Sequence, residues 1–297
     1  MAEGMREYED MPPLGPIFWL SVGWIVFILI CAVSADLLPL PEVDRMDWAN
    51  QAAPPGAKGE ISVLQPGCKK ITVRHIFGCD TIGRDIFTRL IFGARVSLAV
   101  GIMTPLMGLA IGGFLGLLAG FYRGWLESVI VAAMDVILAF PALVLLLAIT
   151  FLLGPSLRNI IVALGFLTIP AFARVARAKT LAFSEREFVQ AARMLGRGDI
   201  AILFFEILPN IIMPMVVYGL FLISFMIVAE GTLSFLGLGP PAPTPSWGGM
   251  IAEGKEVLDE APHVSLFPAM ILFVTVLSFN LVGDTLRGII DPRRSQL

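Results

Sequence analysis

The chain has 297 residues, of which 57% are hydrophobic and 15% charged, with a mean hydropathy of +0.83 and a net charge of -3. Soluble globular domains carry charge on nearer a quarter of their residues, so this is a polytopic membrane protein. The small net charge and the absence of like-charge runs exclude nucleic acid as a partner, and two His with three Cys leave little material for a metal site.

Six segments approach the length needed to cross about 30 Å of hydrocarbon: Ile17 to Ala35, Val96 to Phe121, Val129 to Leu153, Ile160 to Ala178, Ile211 to Phe235 and Val264 to Val282. The organisation this predicts is a tail 1–16, a first transmembrane helix 17–38, an outer loop 39–95, a five-helix core 96–290 containing a cytoplasmic loop 180–209, and a tail 291–297. Glu3 to Asp10 is acidic and no small-residue cleavage site follows the first segment, so that segment reads as a retained helix and not a signal peptide. The fourth is short of a full span unless Arg174 and Arg177 snorkel to the interface.

Orientation follows the basic residues. With both termini cytoplasmic, the inner segments hold Arg6, Arg123, six basic residues from Arg174 to Arg197, and Arg287, Arg293 and Arg294; the short outer loops hold only Arg158 and Lys255. The long first loop holds eight basic residues, but long loops weigh less in this rule and six acidic residues accompany them.

The first half of the outer loop, with Pro39, Pro41, Pro54, Pro55 and Gly56, is turn-rich. In the second half, Asp80 precedes Arg84 by four residues and Asp85 precedes Arg89 by four, the favourable order for helix ion pairs, which predicts a short interfacial helix leading into the second span. Structural pairing is the simpler role for these arginines; contact with substrate or a docking protein is the sharper one. Cys68 and Cys79 stand eleven apart and are a candidate disulfide in an oxidising compartment, contributing about 2 to 3 kcal/mol. As metal ligands with His75 they lack a fourth partner and match no common zinc spacing.

In the second span Gly108, Gly112, Gly116 and Gly120 recur every four residues and predict a close helix-packing seam. Pro105 and Pro141 are expected to kink their helices. Ionisable residues within spans are functional candidates: Asp135 and Glu230 as groups on a translocation path or as proton relays, with structural pairing the plainer alternative, and Asp284 close enough to the inner surface to be solvated.

The polar interruption from Thr180 to Asn210 organises the chain. Ser184 and Glu187 have capping-box spacing, with Phe183 and Phe188 at the staple positions. Phe188, Ala191, Ala192 and Leu195 then repeat at helical spacing, Glu187, Gln190 and Arg193 form a polar face, and Gly196 is placed to close the helix. Such a helix can lie on lipid, but a face with two alanines is better suited to close approach by a partner protein. Asp199 is expected to cap a second apolar stretch that Pro209 ends. After the fifth span, Pro240, Pro241, Pro243 and Pro245 force an extended outer loop before Trp247.

No phosphate loop is present, since Gly254-Lys255 is followed by Glu256, and there is no HExxH, no GxSxG and no nucleophile with a base and orienter. Transport driven by ATP therefore requires the hydrolysing site in another chain; an ion-coupled carrier using Asp135 and Glu230 is the alternative.

QAARMLGRGDIAILFFEILPN, from Gln190, resembles the coupling-loop signature of ABC importer permeases: EAA, three residues, Gly, nine residues, Ile, one residue, Leu-Pro. Gln190, Ala191 and Ala192 stand for EAA, Gly196 is the glycine, and Leu208 and Pro209 match the end. Gln190 replaces the usual Glu, and Glu206 the usual Ile. FGCDTIGRDIFTRLIFGARVSL, LSFLGLGPPAPTPSWGGM and FNLVGDTLRGIIDPR resemble the dipeptide, oligopeptide and nickel branch, specifically its second, shorter permease subunit. The resemblance implies an all-α, six-span type I importer permease in a bacterial cytoplasmic (inner) membrane. It further implies a sister permease as heterodimer partner, an outer solute-binding protein, and two ABC ATPase subunits that hold ATP and Mg while this chain binds neither. On this resemblance Glu187, Phe188, Gln190, Ala191, Ala192, Leu195, Gly196, Leu208 and Pro209 form the ATPase-coupling site, and the solute is a di- or oligopeptide, with nickel or another small solute as the alternative.

Overall fold

The computed structural model describes residues 14–62, 70–154 and 156–290, and the chain is mainly helical. Cys68, Arg293, Arg294 and the tail 291–297 lie outside the described residues. The helices are α1 (Pro16–Ser34), α2 (Ile86–Tyr122), α3 (Gly124–Ala139), α4 (Ala142–Leu153), α5 (Leu157–Ser184), α6 (Glu187–Met194), α7 (Asp199–Phe235), α8 (Trp247–Gly254) and α9 (His263–Ile290). Between α1 and α2, strands β1 (Lys58–Ser62) and β2 (Lys70–Arg74) pair antiparallel, with Lys58 opposite Arg74. The turn-rich half-loop thus contains a hairpin that its prolines and glycine do not announce.

Among the described residues five helices are long and apolar enough to cross a membrane, or six if α3 and α4 count as one span. Pro141 does more than kink this third segment. Phe140 is extended, as the residue before a proline is driven to be, and α3 and α4 diverge by 85°.

Two other prolines are carried without a break. Pro105 lies just before a wide π segment, Gly108–Gly112, and α2 continues to Tyr122. Pro209 follows a second π segment, Ile202–Ile207, so it does not end the helix as expected; α7 runs unbroken from Asp199 to Phe235. Asp199 is not its cap either, since Gly198 holds that position and no side chain caps it.

The glycine stripe of α2 faces α5. A methyl on Gly112 would strike the carbonyl of Ile169, one on Gly116 would meet the Ala173 carbonyl and the Ala176 Cβ, and one on Gly120 the Cβ of Thr180 at 2.7 Å. The backbones meet here because nothing stands between them, and dispersion between close helices is the main attraction lipid leaves available.

Near the start of α2, Trp247 is fully buried among Ile86, Leu90, Leu98 and Met250, and its indole N–H donates to the Leu90 carbonyl at 3.0 Å. This draws α8 onto α2, so Trp247 is a core residue.

No interfacial helix precedes α2. Asp80 Oδ1 accepts from the backbone N–H groups of Ile82 (3.0 Å) and Arg84 (2.8 Å), Gly83 takes φ +82°, and residues 80–84 form a tight turn. Asp85 caps α2, accepting from Thr88 N–H at 2.8 Å, so it is not available for Arg89.

Candidate functional site

The inner loop departs from the capping-box reading. Ser184 is the last residue of α5, not the first cap of the next helix: its hydroxyl donates back to the Leu181 carbonyl at 3.0 Å and accepts from Arg123 Nη2 at 3.3 Å. Arg123 also holds the Glu185 carboxylate at 2.8 Å, tying the loop between α2 and α3 to the start of the coupling segment. Extended Arg186 is the N-cap of α6, without a side-chain cap bond.

Helix α6 presents two faces. Val189, fully buried, and Ala192 pack with Leu117, Phe121, Ile202 and Ile207, which seats the helix on the ends of α2 and α7. Phe188, Ala191, Met194 and Leu195 point away; Phe188 is 40% exposed, Met194 90% and Leu195 88%. The expected single apolar face is therefore split, with Ala192 inward and Val189, omitted from the expected set, as its partner one turn back. The signal was available: Val189 and Ala192 share helical spacing as well as Phe188, Ala191 and Leu195 do.

Gly196 closes the helix as expected. It takes φ +78°, its N–H bonds the Arg193 carbonyl at 2.9 Å, and Arg197 N–H bonds the Ala192 carbonyl at 3.1 Å, the paired bonds of a Schellman cap. Gln190 donates to the Glu185 carbonyl at 3.2 Å, so an amide braces the loop where the related signature has a carboxylate. Glu206 forms an ion pair with Arg197, giving the unusual carboxylate a partner from the same loop. Leu208 is half-buried against the Val189 cluster and Pro209 is exposed.

The two intramembrane carboxylates stand apart. Asp135, exposed on α3, pairs with Arg174 of α5 at 2.7 Å. Glu230 is fully enclosed: Ser97 of α2 donates to it at 3.0 Å and Ser234 at 2.6 Å, while Ser246 and the Trp247 N–H bond to those two serines. It joins α2, α7 and the segment leading into α8, and it does not face an open path. Ser234 stands one turn on from Glu230 and could have been paired with it from helical spacing, whereas Ser97 and Ser246 come from other segments and no local pattern could have found them.

The outer arginines are likewise enclosed. Arg84 spans Asp80 and Glu253, each at 2.6 Å, and buried Arg89 reaches Glu253 at 3.1 Å. His75 Nδ1 lies 2.8 Å from Asp85. No group of three or more metal-ligating side chains occurs among the described residues. Cys79 is a fully buried free thiol, and burial first, then Asp85, Asp47 and Asp80, push its pKa up from 9.0 to about 12. Folding thus raises this pKa, so its contribution to stability is intact below pH 9 and is lost as pH rises toward 12. We expect Cys79 to resist maleimide in the folded protein at pH 8 and to react once unfolded; equal rates in both states would contradict the burial.

These features define a class: a helical membrane subunit with no catalytic constellation of its own and a braced helix that turns an apolar face outward at one end of the bundle. A family model described as "Binding-protein-dependent transport system inner membrane component" matches residues 112–296. The chain belongs to this family, and it is an ABC importer permease of the peptide and nickel branch, a multi-pass inner-membrane protein. Among similar proteins is a glutathione transport system permease protein GsiD of Pectobacterium atrosepticum, 40% identical over 264 residues, covering 88% of this chain and 87% of that one. A GsiD of Escherichia coli O6:K15:H31 is 45% identical over 222 residues, covering 75% and 73%. Among solved structures, the inward-facing MetNI methionine ABC transporter aligns with TM-score 0.57 at 19% identity, covering 69% of this chain and 97% of that one, a likeness of fold.

Proposed function

We propose that this permease forms half of a heterodimeric membrane channel with a sister permease, receives glutathione or a related short peptide from an extracytoplasmic solute-binding protein, and is driven by two ABC ATPase subunits that hold ATP and Mg. Both termini and α6 lie in the cytoplasm. One ATPase grips the face formed by Phe188, Ala191, Met194 and Leu195, and ATP-driven closure of the ATPase pair switches the bundle between outward and inward openings.

The observation that carries this reading is the split of α6. Its inner face, Val189 and Ala192, is locked into the bundle, so force applied to the exposed face reaches α2 and α7. Large exposed apolar residues on a helix outside the spans are what a partner's groove would cover. The names of the similar permeases support the choice of solute.

Co-expression of the whole importer followed by purification tests it. We expect an ATPase pair to co-purify and its ATP hydrolysis in liposomes to rise several-fold on adding glutathione-loaded binding protein, with glutathione accumulating. A complex that accumulates nickel or dipeptides but not glutathione would overturn the solute, and no ATPase association would overturn the coupling.

A further inference from the structure

A cavity of about 700 Å³ opens between α5, α7 and α9 at the end of the bundle that carries α6. Its walls are aromatic and apolar, Phe183, Phe221 and Tyr218 among them, and its polar groups are Lys179, Arg287 and Asn210. No carboxylate lines it. Among the described residues neither Lys179 nor Arg287 forms an ion pair, whereas Arg123, Arg174 and Arg177 on the surrounding helices each hold one, with Glu185, Asp135 and Glu127. Asp284, one turn before Arg287, does not line the cavity. Asn210 spends one Nδ2 hydrogen on the Glu206 carbonyl at 2.6 Å and keeps another donor. The volume lies within the range of small-molecule sites, and a cleft lined by one sign of charge concentrates the opposite sign.

We infer that this cavity is an anion-selective station on the solute's inner path, in which Lys179 and Arg287 hold the carboxylates of a small peptide-like solute while its uncharged body lies on Phe183, Phe221 and Tyr218. The inference rests on the transport reading above. Phe183 gives the station a link to the drive, since it also lines the surface hollow beside Glu187 and Phe188. A displacement of α6 therefore acts on a wall of the solute's cavity through one side chain.

The test uses the assembled importer in phosphatidylcholine liposomes, with Met213→Cys as a reporter inside the cavity and S-methylglutathione, which has no free thiol, as the probe. We expect the probe to slow maleimide labelling of the reporter and its carboxyl diester not to. Lys179→Gln with Arg287→Gln should weaken that protection about tenfold, and Lys179→Arg with Arg287→Lys should restore most of it. Protection by the diester equal to that by the free acid, or protection unchanged in the glutamine pair, overturns the inference. Protection by added phosphatidylglycerol alone, with no further effect of the probe, would make the site a lipid headgroup's and also overturn it. Glutathione uptake by the unmodified complex is read in parallel: its absence removes the transport reading and this inference with it, whereas uptake with carboxylate-independent protection removes this inference alone.

Discussion

Phe188→Asp is expected to abolish glutathione uptake by the assembled importer while leaving this chain inserted and folded. Phe188 is 40% exposed on the outward face of α6 and takes no part in the buried cluster around Val189, so an aspartate there is solvated in the free chain. In the complex the same carboxylate would be desolvated against an ATPase groove. Aromatic anchors at such contacts are worth roughly 2 kcal/mol or more, about a 30-fold loss of affinity, before the cost of burying the charge. Co-purification of the ATPase pair and uptake in liposomes measure it, and normal uptake would sink the coupling site. Ala191→Trp is the companion variant, because Ala191 also faces outward. Ala192→Trp is not: Ala192 is 8% exposed among Leu117, Phe121 and Ile207, and a large ring there would fail by unseating α6 whatever the ATPase does.

Gly116→Leu should have the larger effect on stability. Its Cβ alone would strike the Ala173 carbonyl and lie 2.9 Å from the Arg177 nitrogen, atoms of backbone that cannot rotate aside. Helices α2 and α5 must then separate along the whole stripe, which also holds Gly108, Gly112 and Gly120. Overpacking of a well-filled site costs about 1–3 kcal/mol even where side chains can yield, and here they cannot. We expect a markedly lower midpoint of thermal aggregation in detergent and reduced accumulation in membranes. Gly23→Ala is the control, since nothing lies within 4 Å of its Cβ. Equal midpoints for both variants would show that the stripe does not hold the helices together.

Much of this architecture is written locally. The spans are legible as apolar runs, the seam as a four-residue glycine period, and the end of α6 as Gly196. What misled were motifs that presuppose their own context. Ser184 and Glu187 have the spacing of a capping box, yet the pattern cannot tell the end of one helix from the start of the next when they abut. Asp85 and Arg89 have the spacing of a helix pair, but the carboxylate is used by the helix terminus, and the arginine's partner is Glu253, 164 residues away. Glu230 could be recognised as an intramembrane carboxylate and Ser234 as its neighbour one turn on, but Ser97 and Ser246 come from other segments and only the fold brings them to that pair.

That enclosure constrains how the bundle can move. The Ser97–Glu230–Ser234–Ser246 chain, with Trp247 bonded to Leu90, joins α2, α7 and α8 by hydrogen bonds at the end of the bundle remote from α6. Each such hydrogen bond contributes about 0.5–1.5 kcal/mol, and a buried polar group left without its partner costs about 1–3 kcal/mol, so parting the helices at that end is expensive. At the opposite end α6 is seated on α2 and α7 by apolar contacts, without hydrogen bonds of this kind. On the coupling proposed above, α2 and α7 behave like tongs with a riveted head: a push on α6 moves the ends of these helices remote from Glu230, the end of the bundle at which the cavity of Lys179 and Arg287 opens.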